Sequence, residues 1–297
     1  MCYNLVGDIM YKVVKNECIK NDIYLLEVEA PLIVKSCLPG QFVIVMASET
    51  GEKIPLTIYK CDDRTNILSM IYQVVGASTL ELSRITNELY SIVGPLGNPS
   101  ELIKNVDNLK YASILFVAGG IGIAPIAPQA EYLKKHDINV DIIYGAKNKD
   151  SVILEDELKS ICDKLTITTD DGSYGEKGLV TDILKMQTKK YDYCVAIGPL
   201  VMMKFVSLET KNMGIKTIVS MNPIMIDGTG MCGACRLIVG DEIKFACVDG
   251  PEFDGHKVDF DLAIERLKTY KTIEGQKYLE MLEGDTHHGG CGECNHE

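Results

Sequence analysis

The chain has 297 residues, with 42 acidic against 30 basic side chains and a formal net charge of −12. That length allows two ordinary cores and a small appendage, and the negative balance argues against a nucleic-acid or anionic-membrane surface, leaving a protein or a small molecule as the expected partner. Eleven cysteines, an odd number behind a start with no leader pattern, make a secreted disulfide framework a poor explanation and point to thiols in a reducing cytoplasm.

From Met10 onward, segments of strand character follow one another at 11–14, 22–30, 41–48, 55–60, 67–75 and 90–94. Several alternate polar with apolar residues, and Pro39-Gly40 and Asp62-Asp63 mark turns between them, so a small antiparallel barrel is expected. Between the fifth and sixth segments, Gly76-Ala77-Ser78-Thr79 leads into the helical LELSRIT. The first turn of such a helix leaves N–H groups free to meet a phosphate, although Ser78 taken alone reads as a plain N-cap. Gly94-Pro95-Leu96-Gly97 is by itself a turn.

From Tyr111 the pattern becomes apolar runs at 113–119, 139–145, 164–169, 192–198 and 216–221, alternating with helical segments. Such runs are buried on both faces, as in a parallel sheet covered by helices, and a ligand then lies at the carboxyl ends of the strands. Three of the runs end in glycine: Gly119-Gly120-Ile121-Gly122-Ile123-Ala124-Pro125, Tyr144-Gly145-Ala146 and Gly198-Pro199-Leu200. The first is not Gly-x-Gly-x-x-Gly, and as a bare loop it is compatible with a tight turn. Pro125 fits the first turn of the helix that follows. The stretch from Ala112 to Ala130 is apolar enough to raise the question of a membrane span, but its three glycines and two prolines read as strand, loop and helix. Asp170 and Asp171 suit either a ribose contact or a solvated acidic loop. Met202 and Met203 read as packing residues.

The stretch from Met221 to Cys247 carries the most chemistry. Asp227, Cys232, Cys235 and Cys247 reproduce the C-x4-C-x2-C spacing of plant-type ferredoxins and a later fourth ligand, with an acid in the first position. Gly228, Gly230 and Gly233 let the backbone wrap a compact inorganic core. A [2Fe-2S] cluster is the favoured occupant. A structural zinc is the competing one, though zinc ribbons usually bring two Cys-x2-Cys pairs and only one lies here. Asp-Gly is also an ordinary turn dipeptide, which leaves Asp227 open between turn and ligand. Beyond the cluster, residues 259–270 read as an amphipathic helix and His256 as a surface residue. The terminal His287, His288, Cys291, Cys294 and His296 have donors for a second metal, but a glycine-rich end reads as a mobile tail that binds metal only adventitiously.

In these pieces the chain resembles the ferredoxin reductase superfamily. Pro55, Leu56, Thr57 and Ile58, then Tyr72, Gln73 and Val74, then Gly76, Ser78 and Thr79 match the elements that hold FAD there. Many members place Arg directly before the proline, where this chain has Ile54, which puts that phosphate contact in doubt. Gly119, Gly120, Gly122 and Pro125, with Gly198 and Pro199, match its pyridine-nucleotide signature, and residues 168–182 look familiar from it. Gly145, Asp170 and Asp171 join this set. The order of modules is similar to the family shared by the electron-transfer subunit of dihydroorotate dehydrogenase and the small subunit of NADH-dependent ferredoxin:NADP oxidoreductase. The resemblance runs from about Met10 to about residue 280. Asp227 in the first ligand position, with the stretch 247–261, aligns it with the second branch.

The resemblance implies a Greek-key flavin barrel over 1–100, a doubly wound parallel-sheet NAD domain over 101–220, and a [2Fe-2S] module with C-terminal helices and tail over 221–297. It implies hydride exchange between NAD(H) and FAD, single electrons through the cluster, and no acid–base residue. The implied partner is a larger subunit carrying flavin and [4Fe-4S] clusters, through which ferredoxin and NADP are reached. A dihydroorotate or sulfide dehydrogenase subunit is the alternative enzyme. A zinc-stabilised NAD-sensing protein is the alternative of another class.

Overall fold

A computed structural model describes residues 2–3 and 9–286. The His and Cys residues of the terminal decapeptide, and the second metal site considered for them, lie outside the described residues.

The first sheet contains β1 (Cys2–Tyr3), β2 (Ile9–Lys20), β3 (Ile23–Glu29), β4 (Phe42–Met46), β5 (Ile54–Asp62), β6 (Ile67–Gln73), β7 (Glu88–Leu89) and β8 (Ser91–Leu96). Its hydrogen-bonded order is β1-β2-β3-β6-β5-β4-β8, with β7 on β2, and all of its pairs are antiparallel. The sheet curls around Leu26, Val28, Val43, Val45, Leu56, Ile58, Leu68, Met70 and Tyr72, all buried. Every second residue of β5 and β6 points inward, as the pleat requires. The opposite face, with Ile23, Tyr59 and Ile71, packs into the core of the next sheet. Two short helices, α1 (Pro31–Val34) and α2 (Ala77–Ser83), plug this curl. The sulfurs of Cys37 and Cys61 stand next to each other beside this curl.

After α3 (Glu101–Lys104) the second sheet begins with β9 (Ser113–Gly119), followed by α4 (Ile123–Lys135), β10 (Asn139–Ala146), α5 (Glu155–Ile161), β11 (Lys164–Thr169), β12 (Glu176–Lys177), α6 (Val180–Lys185), β13 (Tyr193–Ile197), α7 (Leu200–Met213) and β14 (Lys216–Ser220). The strand order is β12-β11-β10-β9-β13-β14, all parallel. Phe116, Ile114 and Ala118 face one side of β9, and Leu115 and Val117 face the other, each almost wholly buried. That two-sided burial explains why the segment is apolar throughout. The Ala112–Ala130 stretch thus divides into strand, glycine turn and helix, and among the described residues no helix is long and apolar enough to cross a membrane.

The remaining chain forms a hairpin, β15 (Arg236–Val239) with β16 (Glu242–Phe245), then β17 (Glu252–Asp254), α8 (Phe260–Leu267) and α9 (Lys271–Thr286). β17 pairs antiparallel with β14 and extends the second sheet to seven strands. Cys235, Leu237, Ala246 and Cys247 share a core with α7, β14 and the barrel residues Phe42 and Ile44.

Candidate functional site

The second sheet reverses its winding between β9 and β13, and the glycine loops that follow these two strands meet there. A Cβ on Gly122 would collide with the carbonyl oxygen of Ile197, and one on Gly198 would lie 3.0 Å from the Cα of Gly119. Only glycine permits this contact of backbone on backbone. Pro199 and the sulfur of Met202 close over Gly119, while Met203 is fully buried, so both methionines pack as expected. Pro125 is the third residue of α4, consistent with a place in its first turn. Gly120, at φ +55° with open space where a Cβ would project, exposes the tip of the loop. A helix start, N–H groups at a loop tip and a crevice at the strand ends together suit a dinucleotide pyrophosphate. Gly145 pairs in register with Gly119 on the next strand.

Of the two acidic residues past β11, Asp171 is held in its own turn. Its Oδ1 accepts from the Ser173 amide at 2.9 Å and from the Ser173 hydroxyl at 2.6 Å, which holds its carboxyl below the usual range. Asp170 is exposed and has its amide on the Ala146 carbonyl at 3.1 Å. Lys149 lies over the ring of Tyr174, and its amide donates to Ser173 Oγ.

On the barrel, the segment Pro55–Ile58 splits by face. Leu56 and Ile58 are buried in the curl, while Pro55 and Thr57 are half-buried on the outside. Tyr72 is also inside, stacked on Tyr24, with its hydroxyl donating to Asn16 Oδ1 at 3.0 Å. Burial pushes the phenol above its ordinary pKa. Leu56, Ile58 and Tyr72 have only backbone to offer a ligand, whereas Gln73 and Val74 are half-buried. The N-cap of α2 is Gly76, not Ser78. Thr79 supplies the reciprocal contact, its Oγ1 accepting from the amides of Val75 at 3.0 Å and Gly76 at 3.2 Å. Ser78 donates to Glu52, which also pairs with Lys277 of α9 at 2.7 Å. A Cβ on Gly76 would meet nothing. The outward Pro55, Thr57 and Gln73 beside this open glycine are a fit for a flat ring system with a phosphate tail.

In the cysteine loop, Cys235 and Cys247 are buried with their sulfurs 3.2 Å apart. Burial, with Cys235 alongside, pushes the Cys247 thiol up to about 12. Cys232 is exposed. Asp227 caps the loop, accepting from the Thr229 amide at 2.7 Å and the Cys232 amide at 3.1 Å. Gly228 takes φ +77°, and a Cβ there would sit 2.6 Å from Leu96 and 2.7 Å from Ile44, so the loop lies directly on the barrel strands β4 and β8. Among the described residues no three His, Cys, Asp or Glu side chains converge as a metal grip. Cys232 and Asp227 have to turn inward to complete a four-donor set. The donors themselves fit iron: a buried sulfur pair, a third thiol three residues away and a carboxylate on the same glycine loop, with thiolate the preferred ligand of iron-sulfur clusters.

Sequence reasoning missed three participants. His256 is not a free surface residue, since its Nε2 lies 3.3 Å from the Thr210 hydroxyl of α7. Glu252 accepts from the Glu101 amide at 2.9 Å, and its other oxygen is buried and unpartnered. Arg266 reaches the cysteine loop from α8. Glu252 and His256 fall within the stretch 247–261 that matched by resemblance, but no local spacing announces contacts made across elements.

Residues 116–208 match the oxidoreductase NAD-binding domain, and residues 222–259 match the iron-sulfur cluster binding domain of dihydroorotate dehydrogenase B. A Thermotoga maritima protein named as a homologue of the dihydroorotate dehydrogenase B (NAD(+)) electron transfer subunit is 44% identical, covering 93% of this chain and 97% of its own. The Clostridium perfringens electron transfer subunit is 32% identical over 84% of this chain and 97% of its own. A solved structure of an NADH-dependent reduced ferredoxin-NADP oxidoreductase, described for flavin-based electron bifurcation, contains a chain 42% identical to this one. It superposes with a TM-score of 0.85 over 94% of this chain and all 100% of that one.

Proposed function

This chain belongs to the family of dihydroorotate dehydrogenase B electron-transfer subunits, built on a ferredoxin reductase-like fold with NAD-binding and iron-sulfur domains, and on that premise we propose that it is the small subunit of an electron-bifurcating NADH-dependent ferredoxin:NADP oxidoreductase. The likeness to the bifurcating oxidoreductase chain over essentially the whole length of both carries this reading. Residues 1–100 bind FAD, 101–220 bind NAD(H), and 221–297 hold a [2Fe-2S] cluster. FAD on the barrel supplies the conversion between a two-electron hydride exchanged with nicotinamide and single electrons exchanged with the cluster.

The chain's own residues bind and orient. Gly119, Gly120 and Gly122, with Gly198 and Pro199, bring backbone N–H groups to the nucleotide pyrophosphate at the start of α4. Gly145, beside Gly119 in register, lets Val180 of α6 pack against the strand end, and Asp170, with Asp171 behind it, faces the ribose. Pro55, Thr57, Gln73 and Val74 line the flavin ring, the backbone of Leu56, Ile58 and Tyr72 supports them, and Gly76, Ser78 and Thr79 meet the phosphates. For that contact Ser78 has to leave Glu52. Asp227, Cys232, Cys235 and Cys247 are the iron ligands. No side chain is needed to move a proton in hydride transfer. The larger partner subunit carries a second flavin and [4Fe-4S] clusters and reaches NADP and ferredoxin.

Purification of the native complex, with identification of the second polypeptide and analysis of iron, acid-labile sulfide and flavin, tests this. One FAD, two irons and two sulfides per chain beside a flavin/[4Fe-4S] partner are expected. A dihydroorotate-oxidising partner would instead favour the role borne by the named 32% identical relative, and a colourless protein with one zinc would remove both.

A further inference from the structure

Four arginines occur in the chain, Arg64, Arg84, Arg236 and Arg266, and two of them meet on one short turn. Arg266, in the last turn of α8, donates from Nη2 to the carbonyl of Ala234 at 3.1 Å. Arg236, the first residue of β15, donates from Nη1 to the carbonyl of Gly233 at 3.3 Å. Gly233 and Ala234 are the two residues between Cys232 and Cys235. The two arginine side chains also line a narrow crevice behind this turn, with Pro223, Ile224 and Leu237.

Arg266 comes from a fixed element. Asp259 caps α8 by accepting the Leu262 amide at 3.0 Å, and Phe260 and Ala263 are buried beneath the helix. Arg266 itself is half-buried, so its charge is less screened than that of an open surface cation. Water satisfies exposed turn carbonyls without help. A guanidinium adds two things that water lacks: a planar fork of fixed geometry and a charge that never titrates.

We infer that Arg266, assisted by Arg236, is a positioning residue for the cluster: it fixes the backbone of the Cys232–Cys235 turn through the Gly233 and Ala234 carbonyls and places fixed positive charge behind it, holding the cluster's reduction potential up. This rests on the assignment of a [2Fe-2S] cluster to these cysteines made above. One-electron reduction adds one negative charge to the site, the electron coming from the flavin or the partner subunit, with no bond formed and no proton moved. A nearby fixed cation stabilises the more negative, reduced side.

The test compares full-length, cofactor-loaded wild type with R266Q, R266K and R236Q by EPR-monitored redox titration, alongside iron, sulfide and flavin content. R266Q is expected to lower the reduced-to-oxidised ratio of the cluster at a fixed potential roughly tenfold, a midpoint about 59 mV lower for a one-electron couple, with flavin content unchanged. R266K, which keeps the charge and loses the fork, is expected to recover most of that ratio while retaining less iron than wild type. R236Q, at an exposed position, should shift the ratio in the same direction by a smaller factor, roughly threefold, and it reports on the charge if R266Q fails to fold. Wild-type midpoints and iron content in both R266Q and R236Q would overturn the inference. A wild-type protein with zinc or without iron would overturn the cluster assignment itself, a different and separately visible result.

Discussion

Gly120 and Gly122 sit two residues apart, yet the structure assigns them different work, and alanine at each separates the two kinds. At Gly122 the new Cβ meets the Ile197 carbonyl, which belongs to β13 and cannot rotate away as a side chain would. The end of β13 must shift, and overpacking of this kind costs roughly 1–3 kcal/mol, with the upper part of that range expected because the obstacle is backbone. Gly120 has open space around its Cβ position, so alanine there costs only the left-handed backbone, roughly 1–2 kcal/mol. That open space is where the proposed pyrophosphate approaches. Gly120→Ala is therefore expected to weaken NADH binding at least tenfold, about 1.4 kcal/mol, beyond any effect on the fold. Calorimetric titration of NADH and urea unfolding of both variants provide the comparison. Unchanged NADH affinity in Gly120→Ala would remove the nucleotide from this loop. A Gly122→Ala protein as stable as wild type would show that the two loops are not in the contact described.

Asp227→Cys is expected to leave a cluster in place with a shifted potential and altered EPR line shape, and Asp227→Ala to make it labile while FAD stays bound; unchanged spectra in both would return Asp227 to its turn role alone. Diaphorase assays should favour NADH over NADPH, because no arginine follows β10 and the Lys149 ammonium lies over the Tyr174 ring, whereas a clear NADPH preference would point to Lys147. Burial, with Glu101 nearby, raises the Glu252 carboxyl, so its stabilising protonated form is complete below the ordinary carboxyl range and is lost as pH rises through the raised value. Glu252→Gln should accordingly be more stable than wild type at pH 8 and show less difference at pH 5 in urea unfolding, and equal stabilities at pH 8 would refute the burial argument.

Much of the architecture was legible because burial imposes periodicity. The parallel strands announced themselves as unbroken apolar runs, and the inward residues of β5 and β6 as alternation. β2 was seen only at its first residues. Beyond Val13, the one buried residue among its described side chains, it is a half-exposed strand in which Val14, Cys18 and Ile19 are exposed beside lysines, asparagine and glutamate, held by pairing with β3, and pairing partners leave no mark on local composition. The hairpin β15–β16 and the strand β17 were not anticipated, for they are short, and of the expected C-terminal helices only α8 had residues assigned to it, since the described side chains of α9 are almost all exposed and show no buried face. At the site, glycine and cysteine spacing located the loops, but not the direction of their side chains. The motif placed Tyr72 among the flavin elements without showing that its side chain turns into the curl, because its partner, Asn16, lies in another strand. Ser78 looked like a cap because a hydroxyl at a helix start usually is one, and here Gly76 with Thr79 does that work.

The pairing of Ser220 with Glu252 gives the cysteine segment a particular mechanical standing. It is an excursion of about thirty residues whose two ends are pinned side by side in a sheet, so its closure entropy grows only with the logarithm of its length. A chain fastened at one end swings, while one fastened at both ends is held in register with whatever carries it. Cys232, Cys235 and Cys247 are therefore tied to the edge of the second sheet from both ends of their segment, and Gly228 rests on the barrel strands. The same geometry makes the segment a cassette: joining β14 to β17 through a four-residue turn shortens the loop by roughly three halvings, each worth about 0.6 kcal/mol of closure entropy, and leaves a sheet whose remaining strands keep their neighbours.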